Sequence, residues 1–249
     1  MGRITRQDIT PEIAREYAKL YLSKMFYPQE FFVENFLDNF SNAKNILDLG
    51  CGFGSVDIDI VAEGKDYTIR ALDSSPEMIE LAKQRMNKFS ETARINLSDN
   101  LFFYNSKMED FPIVGNKFDA IISKDFIHFL KDPTKLWRII QNSAKDGTVL
   151  YHMDWIRPET EEKAKEIVHE LLGEHASYNL REDLYSSLRA SLTPEEVKSQ
   201  LHDYFPFSRS SLEVNVVDKG RHMLIKGIYH KSPLNNPQHR ASHTKSRKH

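Results

Sequence analysis

The stretch Ile46-Leu47-Asp48-Leu49-Gly50-Cys51-Gly52-Phe53-Gly54 constrains this chain more than any other. Ile46, Leu47 and Leu49 make an apolar run with the length of a buried strand. Gly50, Gly52 and Gly54 then open a turn in which the backbone can approach a ligand with no Cβ between them. A strand that ends in such a turn belongs to an open α/β sheet, where ligands bind beyond the carboxyl ends of the strands. The ligand's charge follows from Asp48. A pyrophosphate wants glycines and a helix N-terminus without a carboxylate close by, whereas Asp48, two residues before the first glycine, suits a cationic amino group. S-adenosylmethionine is such a ligand. The dinucleotide fingerprint G-x-G-x-x-G fails here, because Ser55 stands where its last glycine belongs.

A second acid agrees with this. Thr68 to Leu72 reads as a short apolar strand ending in Asp73, nineteen residues past Gly54, where a carboxylate can accept hydrogen bonds from a ribose diol. Ser75 as N-cap and Pro76 at the first helical position start a helix there.

With these residues in view the chain resembles the class I S-adenosylmethionine-dependent methyltransferases. The likeness runs from about Ile46 to Met153 and keeps the family's order of motifs. After the glycine loop come Leu72-Asp73-Ser74-Ser75-Pro76-Glu77-Met78, then Met108-Glu109-Asp110-Phe111-Pro112, then Phe118-Asp119-Ala120-Ile121-Ile122-Ser123 with Phe126 to Pro133 behind it. The resemblance implies a Rossmann-like three-layer α/β sandwich, with a seven-stranded, mostly parallel sheet closed by an antiparallel C-terminal hairpin. It also implies a cofactor set. Asp48, Gly50, Cys51, Gly52 and Gly54 hold the methionine moiety, Asp73 and Ser74 the ribose, Met108 and Glu109 the adenine, and Ser123 ends the fourth strand. Two positions depart from the family pattern. Lys107 stands where many relatives have an Asp that accepts from the adenine amino group, and a lysine cannot accept; only Gly147, without a second glycine, precedes the fifth strand.

Methyl transfer from a sulfonium is an in-line displacement, so the enzyme's main work is to hold a nucleophile close to the methyl carbon. No metal is required. Where the nucleophile must lose a proton, the loop after the fourth strand supplies the candidates in this family: His128, whose imidazole titrates near neutrality, and Asp125 beside it. Lys124 could only orient an anionic substrate. Cys51, the single cysteine, is read as a small residue tolerated beside the ligand. Ser123-Lys124-Asp125-Phe126 is not the Asn/Asp-Pro-Pro-aromatic motif of enzymes that methylate planar amino groups, and no cysteine nucleophile for cytosine C5 methylation follows the fourth strand. A small-molecule acceptor is therefore the leading expectation, methylated at oxygen or nitrogen. An RNA or protein acceptor, and a cofactor-binding regulator without catalysis, remain open. Tyr178, Tyr185, Tyr204, Phe205 and Phe207 are candidate walls for an apolar acceptor pocket.

The order of elements supports the same fold. Helices are predicted over Pro11–Tyr21 and Gln29–Phe40. Strands over Asn45–Leu49, Thr68–Leu72, Leu101–Asn105, Phe118–Ser123 and Thr148–Met153 alternate with helices near Ser55–Glu63, Pro76–Ser90 and Pro133–Ser143. A charged amphipathic helix over Glu159–His175, a variable cover over Ser177–Leu192 and a helix from the capping box Thr193-Pro194-Glu195-Glu196 precede a hairpin of Leu212–Val217 and His222–Tyr229. At 249 residues, 40% hydrophobic, one sizeable core suffices, so a single unit over 1–230 is expected. The segment 231–249 has five basic and no acidic residues and is expected to be a disordered tail. That leaves the part before it acidic, which argues against a broad nucleic-acid groove. Without an apolar run near eighteen residues or a signal-peptide pattern, the expectation is a cytoplasmic protein with no membrane partner.

Overall fold

The computed structural model describes residues 1–22, 27–63, 66–112, 118–205 and 212–231. Helices α1 (Pro11–Leu22) and α2 (Tyr27–Phe40) precede the sheet. Then follow β1 (Asn45–Leu49), α3 (Ser55–Ala62), β2 (Thr68–Asp73), α4 (Pro76–Ala93), β3 (Leu101–Asn105) and β4 (Phe118–Lys124). The chain continues through α5 (Thr134–Ser143), β5 (Ala144–Trp155), α6 (Glu161–Leu172), α7 (Tyr178–Ala190), α8 (Pro194–Tyr204), β6 (Glu213–Val217) and β7 (His222–Tyr229). The seven strands form one sheet in the order β3-β2-β1-β4-β5-β7-β6. Strands β1 to β5 pair in parallel, and β7 runs antiparallel to both of its neighbours. This is the Rossmann-like sandwich the sequence predicts.

Strand alternation explains how the layers form. On β1, Leu47 and Leu49 point to the face that packs α5 and α8 through Leu136, Trp137, Ile140, Val197 and Leu201. Ile46 points to the opposite face, against Phe32, Val33 and Phe36 of α2 and Val56, Ile58 and Ile60 of α3. Asp48 shares that second face, so the strand's own periodicity aims its carboxylate at α3. On β5, Tyr151 is fully buried among the rings of Phe32, Phe36 and Phe40, and its hydroxyl donates to the carbonyl of Phe32 at 3.0 Å. Burial pushes the Tyr151 phenol up, so it remains a donor.

The edges of the elements are set by local chemistry. The Ser75 hydroxyl accepts from the amide of Met78 with Pro76 behind it, and Thr193 and Glu196 form a complete capping box at α8. Asp119 accepts from the amides of Lys44 (3.0 Å) and Asn45 (2.8 Å), which fixes the start of β1 beside β4.

Two stretches differ from the sequence reading. β5 begins at Ala144, where Phe118 pairs with it before a register shift, and Gly147 takes φ +86° within the strand. The cover over 177–192 is itself a helix, α7, capped by Ser177 and burying Leu180, Leu184 and Leu188 against Trp155 and α6. Each buried leucine there contributes roughly 1.5–3 kcal/mol. The tail expected at 231–249 lies outside the described residues except for Lys231, and Phe207 lies outside them too. No helix among the described residues is long and apolar enough to cross a membrane.

Candidate active site

A cleft of about 820 Å³ opens at the carboxyl ends of β1, β2 and β4. The strand order turns there, with β2 and β4 on either side of β1, and such a switch point leaves a crevice between loops that diverge to opposite faces. The glycine loop is its floor. Gly50, Gly52 and Gly54 take φ of +80°, +55° and +71°, which no other residue adopts without strain. The amides of Gly50 and Cys51 donate to the carbonyl of Leu72 at 2.8 and 2.9 Å, locking the loop to β2.

The three glycines do different work. A Cβ on Gly50 would sit 2.2 Å from the Phe126 ring, and one on Gly54 2.5 Å from Phe103, so both are packing positions. A Cβ on Gly52 would meet nothing closer than the Met78 sulfur at 4.0 Å. The space above Gly52 is therefore the part of the loop left open to a ligand. Gly50 and Gly52 line the cleft with Cys51, and Gly54 instead caps α3 from below.

Asp73 joins the glycine loop to the loop after β2. Its Oδ2 accepts from the Gly52 amide at 2.9 Å and its Oδ1 from the Ser75 amide at 2.8 Å. Burial raises its pKa, while the two amides work to lower it. Each oxygen keeps a further lone pair, so a diol can still be accepted. Ser74, Met108 and Glu109 line the same cleft, with Glu109 paired to Lys135 at 3.1 Å across its mouth. Lys107 is also in the wall. Ser123 is not: it is fully buried on β4, and its hydroxyl lies 2.9 Å from Nδ1 of His152. Burial drives the His152 pKa down to about 3, so that pair is a neutral core contact.

The other end of the cleft carries the candidate proton-transfer residues. Asp125 sits in the left-handed region at φ +53° and pairs with Lys124. Burial works to raise the Asp125 pKa, but Lys124, then His222 and His128, hold it below the usual carboxylate range. His128 lies in a 3-10 turn (Ile127–Phe129) whose shape is fixed by Asp154, fully buried on β5. Oδ2 of Asp154 accepts from the amides of Ile127 (2.5 Å) and His128 (3.2 Å), and Oδ1 faces His128 Nδ1 at 2.7 Å. On the far side, Nε2 of His128 is 3.3 Å from an Arg6 guanidinium nitrogen. A guanidinium only donates, which assigns Nε2 as acceptor and puts the imidazole proton on Nδ1, toward Asp154.

Arg6 links this turn to the roof. It pairs with Asp183 of α7, which also accepts from the Tyr17 hydroxyl at 2.9 Å, and its guanidinium stacks 3.9 Å above the Phe129 ring. Arg3 pins the N-terminal segment by donating to the carbonyls of Ala190 (2.7 Å), Leu130 (2.6 Å) and Lys131 (3.3 Å). Arg6, Ile9, Tyr17, Leu184 and Ser187 thus close over the cleft. No sequence motif marks Arg6, Asp154 or Asp183, which meet only through contacts 26 to 177 residues apart. The predicted aromatic wall also lies elsewhere. Tyr178 is 68% exposed, Tyr185 packs in the α6–α7 cover, Tyr204 stacks on Arg138, and Phe205 packs on Trp137. Phe53, Phe126, Phe129 and Trp155 line the cleft in their place.

Below the glycine loop, Asp48 meets Asp57 from the first turn of α3. Asp48 is 3% exposed and lines the cleft, Asp57 is fully buried, and the two carboxyl groups touch. Burial raises both above the usual range, Asp48 further under the charge of Asp57 and Asp73, and Asp57 to about 7. An acid raised in the folded state binds more protons than in the unfolded chain, so the stability it confers falls as pH rises toward the folded value. The melting temperature of the ligand-free protein is therefore expected to carry a downward component between about pH 4 and about pH 7 that Asp57→Asn reduces. Melting curves of both proteins across that range check this, and parallel profiles would contradict it.

Residues 40–202 match a family model described as a methyltransferase domain. Two curated proteins align with parts of the chain. The biotin biosynthesis bifunctional protein BioHC of Teredinibacter turnerae is 26% identical over 125 residues, covering 48% of this chain and 21% of that protein. Phosphoethanolamine N-methyltransferase 1 of Arabidopsis thaliana is 30% identical over 119 residues, covering 48% of this chain and 22% of that protein. The matched stretch is thus a minor part of either relative. Among solved structures, the plantazolicin methyltransferase BpumL, crystallised with a triazolic desmethylPZN analogue and SAH, superposes with a TM-score of 0.67 at 17% identity, covering 88% of this chain and 90% of that one. With the family model spanning most of the chain, the chain belongs to the methyltransferase domain family, and its fold is that of the methyltransferase crystallised with SAH.

Proposed function

We propose that this chain transfers a methyl group from S-adenosylmethionine to an oxygen or nitrogen of a small molecule by in-line displacement. The observation that carries this reading is the roof. Arg6 and Tyr17 from the N-terminal segment, with Leu184 and Ser187 from α7, close over the turn of Asp125 and His128. The cleft volume falls within the range typical of small-molecule sites.

In this reading Asp48 meets the amino group of the cofactor, the open space over Gly52 takes the methionine moiety, and Asp73 accepts from the ribose diol. Cys51 and Ser74 complete those walls, and Met108 and Glu109 flank the adenine. The acceptor lies between the methyl group and the roof. Its proton passes to Asp125 or to Nε2 of His128, where a positioned base contributes typically ~10²–10⁴-fold in rate. Asp154 holds the imidazole with its Nδ1 proton engaged, so Nε2 is the nitrogen that can accept. The name of one relative, a phosphoethanolamine N-methyltransferase, supports a nitrogen acceptor.

Incubating the protein with a metabolite extract and methyl-labelled cofactor is expected to label a low-mass compound. Label appearing only in RNA or protein would contradict the small-molecule reading. With that acceptor in hand, Asp125→Asn and His128→Gln separate the two candidate bases. The one that takes the proton loses roughly 10²-fold or more in kcat, while its affinity for S-adenosylhomocysteine stays within about threefold.

A further inference from the structure

Asp57 has no place in the reading above, yet it is fully buried beside a residue that does. Among the described residues, neither of its carboxylate oxygens has a hydrogen-bond donor, and Oδ1 of Asp48 has none either. The charged groups around the pair are nearly all acidic or already engaged. Asp73 approaches from β2, and Asp59 of α3 accepts from Gln29 of α2 at 2.6 Å and feels the charge of Arg85 from α4. Lys124 at the end of β4 is paired with Asp125, and the Cys51 thiol is pushed up by burial and by these acids. Among the described residues, no lysine, arginine or histidine forms an ion pair with Asp48 or Asp57. Two carboxylates in contact without a cation cannot both ionise at low cost. A proton on each supplies the missing donor.

We infer that Asp57 is a positioning residue for the cofactor: in the ligand-free protein it and Asp48 are both protonated, and when Asp48 takes the cofactor's cationic amino group one proton leaves to solvent while Asp57 keeps the other and donates it to Asp48. The inference rests on the reading of this cleft as the S-adenosylmethionine site. No bond other than O–H breaks, and the charge balances. A neutral carboxyl becomes a carboxylate, the incoming ammonium neutralises it, and the proton goes to the buffer. Asp57 thereby keeps the floor of the site from holding two bare charges before the cofactor arrives, and makes uptake depend on pH.

Calorimetric titration with S-adenosylhomocysteine between pH 6 and 7 tests this, because the α-amino group of a free amino acid stays protonated throughout that range. Titrations of the full chain in two buffers of different ionisation enthalpy read the proton directly. The wild-type protein is expected to release close to one proton on binding, with Kd tightening by up to about tenfold per pH unit. In Asp57→Asn the amide donates to Asp48 and fixes its charge. Proton release is then expected to fall near zero, and Kd to stay within about twofold across the range. Wild-type binding without proton release would overturn the inference and leave the cofactor reading standing, as would a slope that persists in Asp57→Asn. Absence of any S-adenosylhomocysteine binding would overturn both.

Discussion

Asp73→Ala is expected to weaken S-adenosylhomocysteine binding by about 30- to 1,000-fold, the loss of roughly 2–4 kcal/mol. Two effects add. The ribose loses a charged acceptor, and hydrogen bonds to charged groups contribute more than neutral ones. The amides of Gly52 and Ser75 also lose the carboxylate that holds their loops together. Because those amides can turn to solvent once the loops loosen, the fold survives and the melting temperature drops by only a few degrees. Asp73→Asn keeps one acceptor oxygen and is expected to fall between the two. Calorimetry on the three proteins checks the order, and an alanine variant that binds within threefold of wild type would show that the ribose is held elsewhere.

The second large effect separates glycines that look alike in the sequence. Gly54→Ala places a methyl 2.5 Å from Phe103 Cζ and 3.1 Å from the Ala82 Cβ at φ +71°. Left-handed strain of roughly 1–2 kcal/mol and overpacking of roughly 1–3 kcal/mol then combine. The melting temperature is expected to fall by about 5 to 15 °C, with cofactor affinity following only as far as the fold loosens. Gly52→Ala carries the strain of φ +55° without the collision, since its methyl enters open space. Its stability loss is expected to stay near 1–2 kcal/mol, while S-adenosylhomocysteine binding drops by more than tenfold because the methyl occupies the ligand's place. Thermal melts and titrations of both variants read the contrast. Equal stability losses, or a Gly52→Ala protein with unchanged affinity, would contradict the assignment of roles.

The reason the sheet was legible is that its signals are local. The apolar run of β1, the glycines after it, and the Ser75-Pro76 start of α4 each sit within a few residues, and backbone physics reads them the same way in any context. Where a signal was mixed, the reading stopped short. Ser177 followed by Leu180, Leu184 and Leu188 has helical spacing, but Arg181, Glu182 and Asp183 between them left only a narrow apolar face, and packing against Trp155 decided for helix. Lys145-Asp146-Gly147 has the composition of a turn, yet it lies within β5, where Gly147 can take φ +86°.

The site divides along the same line. Asp48, Gly50, Cys51, Gly52, Asp73, Ser74, Met108, Glu109, Asp125 and His128 all line one cleft, because motifs at strand ends converge wherever the strands are parallel neighbours. Ser123 falls away from it because alternation along β4 turns its side chain toward His152. The groups that the motifs could not show act across distance: Asp154 shaping the His128 turn, Arg6 and Asp183 joining the roof to it, and Asp57 beneath Asp48. No spacing rule connects residue 6 with residue 183, and only the fold brings them together.

The central claim is that an acidic strand end and the open glycine at position 52 form a site for a sulfonium nucleoside. The most direct test is parallel calorimetry of the purified protein with S-adenosylmethionine, S-adenosylhomocysteine, and nicotinamide and flavin dinucleotides. Saturable one-to-one binding of the two adenosyl compounds, with no heat from the dinucleotides, is the expected result. Uptake of a dinucleotide with no response to either adenosyl compound would contradict it.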